Sequence, residues 1–276
     1  MPPQPPEIES IAEALARIVG VPVNIDALPW GTTGLSYRIE SAQGAFVAKV
    51  FHAHSEALLG PAEQYALMRV LAEAEVSPRP VGFDVDARLL VTEFLGDAVP
   101  LEPDGLRRPE NIEKIARCLR RLHAITAAIP RFTPEAYAKR YVDKAGGPMS
   151  LTGADRDRYA ELLELAPMLD GLAVSVCHND LLAENLLVDG DVRLIDFDYA
   201  VMAPPVVDLA SLIVMNGLSD LEARGLLDVY YGGPAPILAA EFARVQRLVR
   251  LVAHFWALAS GDTQAAIVAQ YRIEDG

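Results

Sequence analysis

Two short apolar runs, Leu186 to Val188 and Val192 to Ile195, flank the dipeptide Asp189-Gly190. An Asp-Gly pair between apolar runs is a strong signal for a two-residue hairpin loop, and that hairpin constrains everything around it. If Asp189 and Gly190 form the loop, Val188 faces Asp191 and Asn185 faces Leu194. Asp196 then becomes the diagonal neighbour of Asn185, on the same face and roughly 7–8 Å away. Two oxygen ligands would stand at the open end of one hairpin, where a shared Mg²⁺ could bridge them. Magnesium is usually held by one or two protein ligands, with phosphates and water completing its octahedron. Asp180, five residues before Asn185 in a loop, adds a third polar group with no apolar reason to be there. An acid beside an Asp-Gly turn is ordinarily solvated surface. The joint pattern is what points to chemistry: His-Asn-Asp, four residues, Asn, a hairpin, then Ile-Asp-Phe.

The rest of the chain arranges itself around this island. Glu7 to Val19 carries Ile8, Ile11, Leu15 and Ile18 at helical spacing. Val23 to Leu28, Tyr37 to Glu40, Ala45 to Phe51, Val81 to Phe83 and Leu89 to Thr92 are strand-like, with a helical segment at Pro61 to Ala74. After Phe94 the long patterns are helical, clearest at Asn111 to Ala124 and later at Tyr159 to Leu169, Val207 to Met215, Leu221 to Tyr230 and Ala239 to Ala259. The expected fold is therefore α+β and two-lobed. A small antiparallel β-rich lobe spans residues 1–95, and a larger, mostly helical lobe spans 96–276 and contains the hairpin.

Composition excludes some functions. The chain has 276 residues, 51% of them apolar, and a net charge of −14. Sequence-independent nucleic-acid binding needs basic patches to neutralise phosphates, so that class is set aside. An acidic surface is compatible with steering a small cationic substrate, and also with solubility alone. Cys118 and Cys177 are too few for a disulfide framework and read as buried thiols. Met1 to Glu7 lacks the basic start and apolar stretch of a secretory signal. No uncharged run reaches the roughly 18 apolar residues of a membrane span. The expectation is a soluble cytoplasmic protein, monomeric or homodimeric, with no membrane partner.

His178-Asn-Asp-Leu-Leu-Ala-Glu-Asn185, followed by Leu194-Ile-Asp-Phe-Asp-Tyr199, resembles the signature of the aminoglycoside phosphotransferase and choline/ethanolamine kinase superfamily. That group is a small-molecule branch of the protein-kinase-like fold. The resemblance covers about Gly31 to Trp256. It implies ATP as co-substrate, Asp180 as the catalytic aspartate, and Asn185 and Asp196 as Mg²⁺ ligands. It also implies that His178 and Asp208 support the catalytic loop, and that His123 in Leu122-His-Ala124 is structural. Lys49, in Phe46-Val-Ala-Lys-Val-Phe51, becomes the expected ligand for the α- and β-phosphates. A lysine in a half-buried strand needs a partner, and Glu63 is the natural candidate, with Glu56 second. Gly31-Thr-Thr-Gly-Leu-Ser36, which includes Gly34 and Ser36, would bring backbone N–H groups over phosphates. Thr92-Glu-Phe-Leu95 falls where the hinge holds adenine, implicating Glu93 and Leu95.

The acceptor is expected to be a small alcohol. Only 11 residues separate Asp196 from Asp208, which leaves no room for a long activation segment, and Asp-Phe-Asp stands where protein kinases have Asp-Phe-Gly. Tyr199 in Ile-Asp-Phe-Asp-Tyr resembles the Ile-Asp-Phe-Glu-Tyr pattern of choline kinases. Trp256 in His254-Phe-Trp-Ala-Leu258 resembles the tryptophan that lines their choline pocket, although the second tryptophan usual three residues on is here Ala259. A trimethylammonium group on an aromatic face gains roughly 2 kcal/mol or more once desolvated. An aminoglycoside, another antibiotic, thiamine or homoserine would instead use acidic or shape contacts, for which Asp198 is the candidate. A non-catalytic nucleotide-binding module would be marked by loss of Lys49, Asp180 or Asn185, and all three are present.

Overall fold

Strand alternation builds the first half. The computed structural model describes residues 8–28, 34–52 and 57–260. Helix α1 (Ile8–Val19) leads into β1 (Pro22–Leu28), β2 (Gly34–Ser41) and β3 (Gly44–Phe51). Helix α2 (Pro61–Glu73), β4 (Pro80–Asp84) and β5 (Leu89–Glu93) follow. The five strands form one antiparallel sheet in the order β1-β2-β3-β5-β4. Ser36, Lys49 and Leu90 lie side by side across it, as do Arg38, Val47 and Thr92. Because successive strand residues alternate faces, these two rows share one face. Ile39, Ala48, Val50, Leu89 and Val91 occupy the other, where Ile11, Leu15 and Val19 of α1 bury against them.

The second half contains β6 (Val99–Pro100), α3 (Pro103–Leu106), α4 (Pro109–Leu122), α5 (Pro134–Lys144) and α6 (Gly153–Leu165). It continues with β7 (Ser175–Cys177), β8 (Leu186–Asp189), β9 (Asp191–Leu194), β10 (Val201–Ala203), α7 (Pro205–Met215), α8 (Asp220–Tyr231) and α9 (Ala239–Ser260). Proline opens α2, α3, α4, α5 and α7. Its missing N–H costs nothing in a first turn, and its fixed φ suits the helix. Helix α4 packs against α8, and α9 packs against both α5 and α7. Every residue of α7 from Val206 to Val214 is buried, Asp208 and Ser211 included. A helix buried on all sides must satisfy its polar groups internally; Asp208 does so through the bonds described below, and Ser211 lines the cavity. The α2 residues Leu67, Met68 and Leu71 join the core of the helical half, so one apolar cluster spans both halves beside the separate one under α1.

Four elements were missed or misplaced in the pattern. Helix α5 buries Pro134, Ala138, Tyr141 and Val142 at helical spacing, but its four Lys, Arg and Glu residues and two tyrosines mask the stripe. Helix α6 begins at Gly153, six residues before the expected Tyr159, because Thr152 accepts a hydrogen bond from Asp155 N at 3.1 Å and caps it. Strands β6 and β10 are too short to show periodicity. Among the described residues no helix is long and apolar enough to cross a membrane. Cys118 and Cys177 are free and buried, as expected.

Gly82 of β4 lies against α1, and a Cβ built there would stand 2.5 Å from Ile18 Cγ2. Gly82→Ala should therefore lower stability by about 1–3 kcal/mol, the usual cost of overpacking. In an Ile18→Ala background the same change should cost nothing further. Thermal melting of the two singles and the double checks this, and simple additivity would show that Ile18 is not what the methyl meets.

Candidate functional site: a lysine, three polar ligands and an aromatic cavity

The hairpin is present with a register one residue from expectation. Val188 pairs with Val192 and Asp189 with Asp191, leaving Gly190 alone at the tip with φ +66°. Asn185 consequently faces Ile195, whose N–H donates to Asn185 O at 3.0 Å, and not Leu194. Pleat alternation is therefore not what aims Asp196. Its backbone is left-handed, φ 68° and ψ 61°, a conformation that costs a non-glycine residue roughly 1–2 kcal/mol. That kink turns the Asp196 carboxylate out of the strand and into the cleft. Asn179 makes a similar left-handed step, φ 63°, just before Asp180, and asparagine tolerates it better than most residues.

Buried hydrogen bonds hold both kinks. Asp208, fully buried on α7, accepts from His178 N and Asn179 N, each at 2.8 Å. His123 Nε2 lies 3.1 Å from the same carboxylate, and its Nδ1 lies 2.8 Å from the Tyr230 hydroxyl. His178 Nε2 contacts Ile195 O at 2.8 Å, tying the loop to the residue before Asp196. Burial pushes the His178 pKa down, so the ring is neutral and Nε2 carries the donated proton. Asn216, at the end of α7, donates to Leu181 O at 2.8 Å and accepts from Ala183 N at 3.0 Å. Nothing in the sequence singled out Asn216 or Tyr230; a polar residue closing an otherwise apolar helix was the available signal for the first.

Within this frame the expected ligands meet. Asn185 Nδ2 donates to Asp180 O at 2.9 Å and to Asp180 Oδ2 at 3.1 Å. Lys49 Nζ bonds Asp196 Oδ1 and reaches Asp198 Oδ1 at 2.6 Å, with 13% of its side chain exposed. Burial favours the neutral amine, but the Asp196 and Asp198 carboxylates outweigh it and raise the Lys49 pKa. Burial also acts against the Asp196 carboxylate, and Lys49 overcomes it, holding Asp196 below the usual range. Among the described residues no cation pairs with Asp180. Burial, reinforced by the Asp196 charge, pushes it up to about 7.

Two assignments are corrected. Glu63 does not meet Lys49: with Pro61 at the helix start, residues 64, 67, 68 and 71 face inward, and Glu63 is left exposed. Gln64 faces inward in its place and donates to Asp198 Oδ1 at 2.5 Å. Asp198 does not line the acceptor cavity, because it is buried between Lys49 and Gln64. Glu56 and the Gly31–Thr33 part of the glycine loop lie outside the described residues. Gly34 begins β2, where a Cβ would stand 2.5 Å from Val50 O, so close strand packing already demands glycine there. Ser36 sits opposite Lys49.

A cavity of about 470 Å³ joins these groups. One end is roofed by Leu28, Ser36 and Val47 and bordered by Thr92, Glu93 and Leu95. Arg38 also lines it, stacked 4.7 Å over Phe94 and paired with Glu40 at 2.7 Å. The other end carries Phe132, Tyr137, Tyr141, Tyr199 and Trp256. Phe132 and Tyr137 meet edge-to-face at 5.0 Å, and the buried Tyr137 hydroxyl has no hydrogen-bond partner among the described residues. Because α5 escaped the sequence reading, two of these aromatics did too. The donors at the centre, Asn185 with the carboxylates of Asp180 and Asp196, form a hard oxygen set suited to Mg²⁺. His123, Cys177 and Asp208 also cluster, but their polar atoms are occupied by the bonds above and by Cys177 Sγ to Ala203 O at 3.4 Å.

A carboxyl whose folded pKa is raised stabilises the fold fully below its unfolded pKa and loses that contribution as pH climbs through the folded value. For Asp180 the window runs from about 4 to about 7. Asp180→Asn removes the titration. Without divalent metal, the variant's stability advantage over wild type should grow from about pH 4 to about pH 8 by a few kcal/mol. Calorimetric melting across that range checks it, and a difference constant with pH would contradict the raised value.

Comparison with known proteins places this geometry. Mouse (Mus musculus) ethanolamine kinase 1 is 27% identical over 188 residues, which is 59% of this chain and 49% of that protein. The chain thus spans about half the length of the curated relative it matches. Choline kinase LicA from Streptococcus pneumoniae superposes with a TM-score of 0.81 at 21% identity, covering 96% of this chain and 95% of that one. The same enzyme has also been solved with AMP. A choline/ethanolamine kinase family protein from Mesorhizobium loti gives 0.77 at 23% identity, covering 94% and 91%. These structures share the two-part, protein-kinase-like fold. The family model described as the phosphotransferase enzyme family matches residues 24–244, from β1 into α9, and with that span the chain belongs to the phosphotransferase enzyme family.

Proposed function

We propose that the chain is a kinase that transfers the γ-phosphoryl group of ATP to the hydroxyl of a small cationic alcohol, with choline and ethanolamine the first candidates. One observation carries this reading: Lys49, Asp180, Asn185 and Asp196 converge at the middle of a cavity whose far wall is aromatic. In this reading residues 1–95 hold the nucleotide and 96–276 hold the acceptor. The adenine lies between Leu28 and Val47 above and Leu187 below, against Glu93 and Leu95, and its phosphates run toward Lys49 and Ser36. Cytoplasmic ATP would supply the reaction.

Asn185 and Asp196 would hold Mg²⁺, which when bound neutralises charge on the phosphate oxygens. The remaining work falls to this chain's own groups. Asp180 has one oxygen committed to Asn185, and its other oxygen is the natural acceptor for the alcohol proton. In the metal-free protein burial and the Asp196 charge raise its pKa, and within hydrogen-bond reach of the alcohol it can take the proton as general base. As the hydroxyl oxygen bonds to phosphorus, its proton passes to Asp180 and ADP leaves. Phosphoryl transfer depends mainly on such positioning and charge neutralisation.

The acceptor end favours a single cation over a polycation. Five aromatic side chains line it, whereas Asp198, the acid expected there, is spent on Lys49. That balance speaks for an alkylammonium alcohol and against an aminoglycoside, which would need several free carboxylates.

Phosphate transfer from ATP to a panel of choline, ethanolamine, thiamine, homoserine and an aminoglycoside tests the reading. Choline or ethanolamine should be the best acceptor. Trp256→Leu should raise the KM for it by about tenfold, the value of a desolvated cation–π contact of roughly 1–2 kcal/mol, with the ATP KM and the melting temperature near wild type. Preference for another acceptor, or an unchanged KM in Trp256→Leu, contradicts the cationic-alcohol reading.

A further inference from the structure

With Glu63 exposed, α2 turns no carboxylate toward Lys49. A buried lysine that works on phosphates needs a counter-ion that stays with it through the reaction, because an unpaired buried charge is strongly destabilising. Asp196 cannot be that group alone, since in the proposed function its carboxylate is shared with a metal. Helix α2 does not supply the group either, since the residue it turns inward is the neutral Gln64. We propose that Asp198 is the positioning residue for Lys49, and that Gln64 ties this carboxylate to α2, so that the lysine's counter-charge resides on the turn after the hairpin and not on the helix.

Four donors from the N-terminal half converge on Asp198. Its Oδ1 takes Lys49 Nζ at 2.6 Å and Gln64 Nε2 at 2.5 Å. Its backbone oxygen takes Leu58 N at 2.7 Å and Leu59 N at 3.4 Å. Gln64 Nε2 also donates to Leu59 O at 3.1 Å. Asp198 and Gln64 are each 1% exposed, so water does not screen the contact. The residue types fit this use. A glutamate at 64 would press a second carboxylate against Asp198, whereas the glutamine amide donates to it. Asp198 stands two residues from Asp196 but outside the cavity wall, where it can hold the ammonium without competing for a ligand in the cleft. Phe197, buried against His178 at 4.7 Å, fixes the turn between the two acids.

This inference rests on the kinase reading for its kinetic part and on geometry alone for its stability part, and the test separates them. Asp198→Asn should raise the ATP KM and lower kcat, each by about tenfold or more, with the acceptor KM within about twofold of wild type. Gln64→Glu alone should lower the melting temperature of the ligand-free protein through like-charge contact. In Asp198→Asn/Gln64→Glu the charge moves to the helix beside the oxygen that Lys49 now uses. That double variant should recover most of the ATP KM and melt above both singles. A purely structural Asp198 would not restore the ATP KM when its charge is relocated. An Asp198→Asn enzyme with near-wild-type ATP KM and kcat overturns the proposal, as does a double variant no better than the singles in melting. Should no alcohol accept phosphate from ATP in any variant, the kinase reading fails, and the melting pattern alone then supports or overturns Asp198 as the lysine's counter-ion.

Discussion

The Lys49 ammonium group is the charged contact on which the join between the two halves of this protein is centred. Lys49 leaves the inner face of the sheet and ends between two carboxylates of the turn that follows β9. Burying an amine in a sheet is expensive unless carboxylates meet it, and here both come from the other half of the chain. The ion triad therefore does more than bind. Together with the Leu58 and Leu59 N–H bonds to Asp198 O it ties the sheet side of the cavity to the turn after β9. The shared apolar cluster under α2 supplies bulk stability without direction, whereas the triad and the hydrogen bonds to Asp198 are directional contacts between the halves.

The opposite wall is held by a different device. Asp208 projects from a helix buried on every side and spends its oxygens on the successive backbone N–H groups of His178 and Asn179. Charge-assisted bonds of this kind are among the stronger hydrogen bonds a protein makes. They accompany two left-handed non-glycine residues, Asn179 and Asp196, that carry the chain around Asp180 and out of the β8–β9 hairpin. Strain of this kind persists where the surroundings over-determine it, and such sites cluster at active centres.

How much of this was legible in the sequence depends on the range of the interaction. Local signals sufficed for the sheet strands, for α1, α2, α4 and α7, and for the gathering of Lys49, Asp180, Asn185 and Asp196, because each rests on periodicity or on a compact motif. The hairpin register failed by one residue, since a turn with Gly190 alone at its tip looks the same in sequence as a two-residue loop. Glu63 failed for a related reason: helical phase is set by the proline at the start of α2, and one position of rotation separates an exposed glutamate from the buried Gln64. Asp198 could not be placed from its neighbours at all, because its partners are contributed by residues more than a hundred positions away. The aromatic wall was half visible, with Tyr199 and Trp256 in motifs and Tyr137 and Tyr141 in a helix whose charged residues hid its buried face.

The central claim is that the hairpin turn and the lysine together form a metal-dependent nucleotide site. Calorimetric titration of ATP into wild type and Asp196→Ala, each with and without Mg²⁺, addresses it directly. Wild type should bind more tightly with Mg²⁺ than without, by at least the roughly tenfold that one charged contact contributes. Asp196→Ala should lose that increment while keeping measurable affinity in the absence of metal. Identical affinities for the two proteins under both conditions would contradict the account.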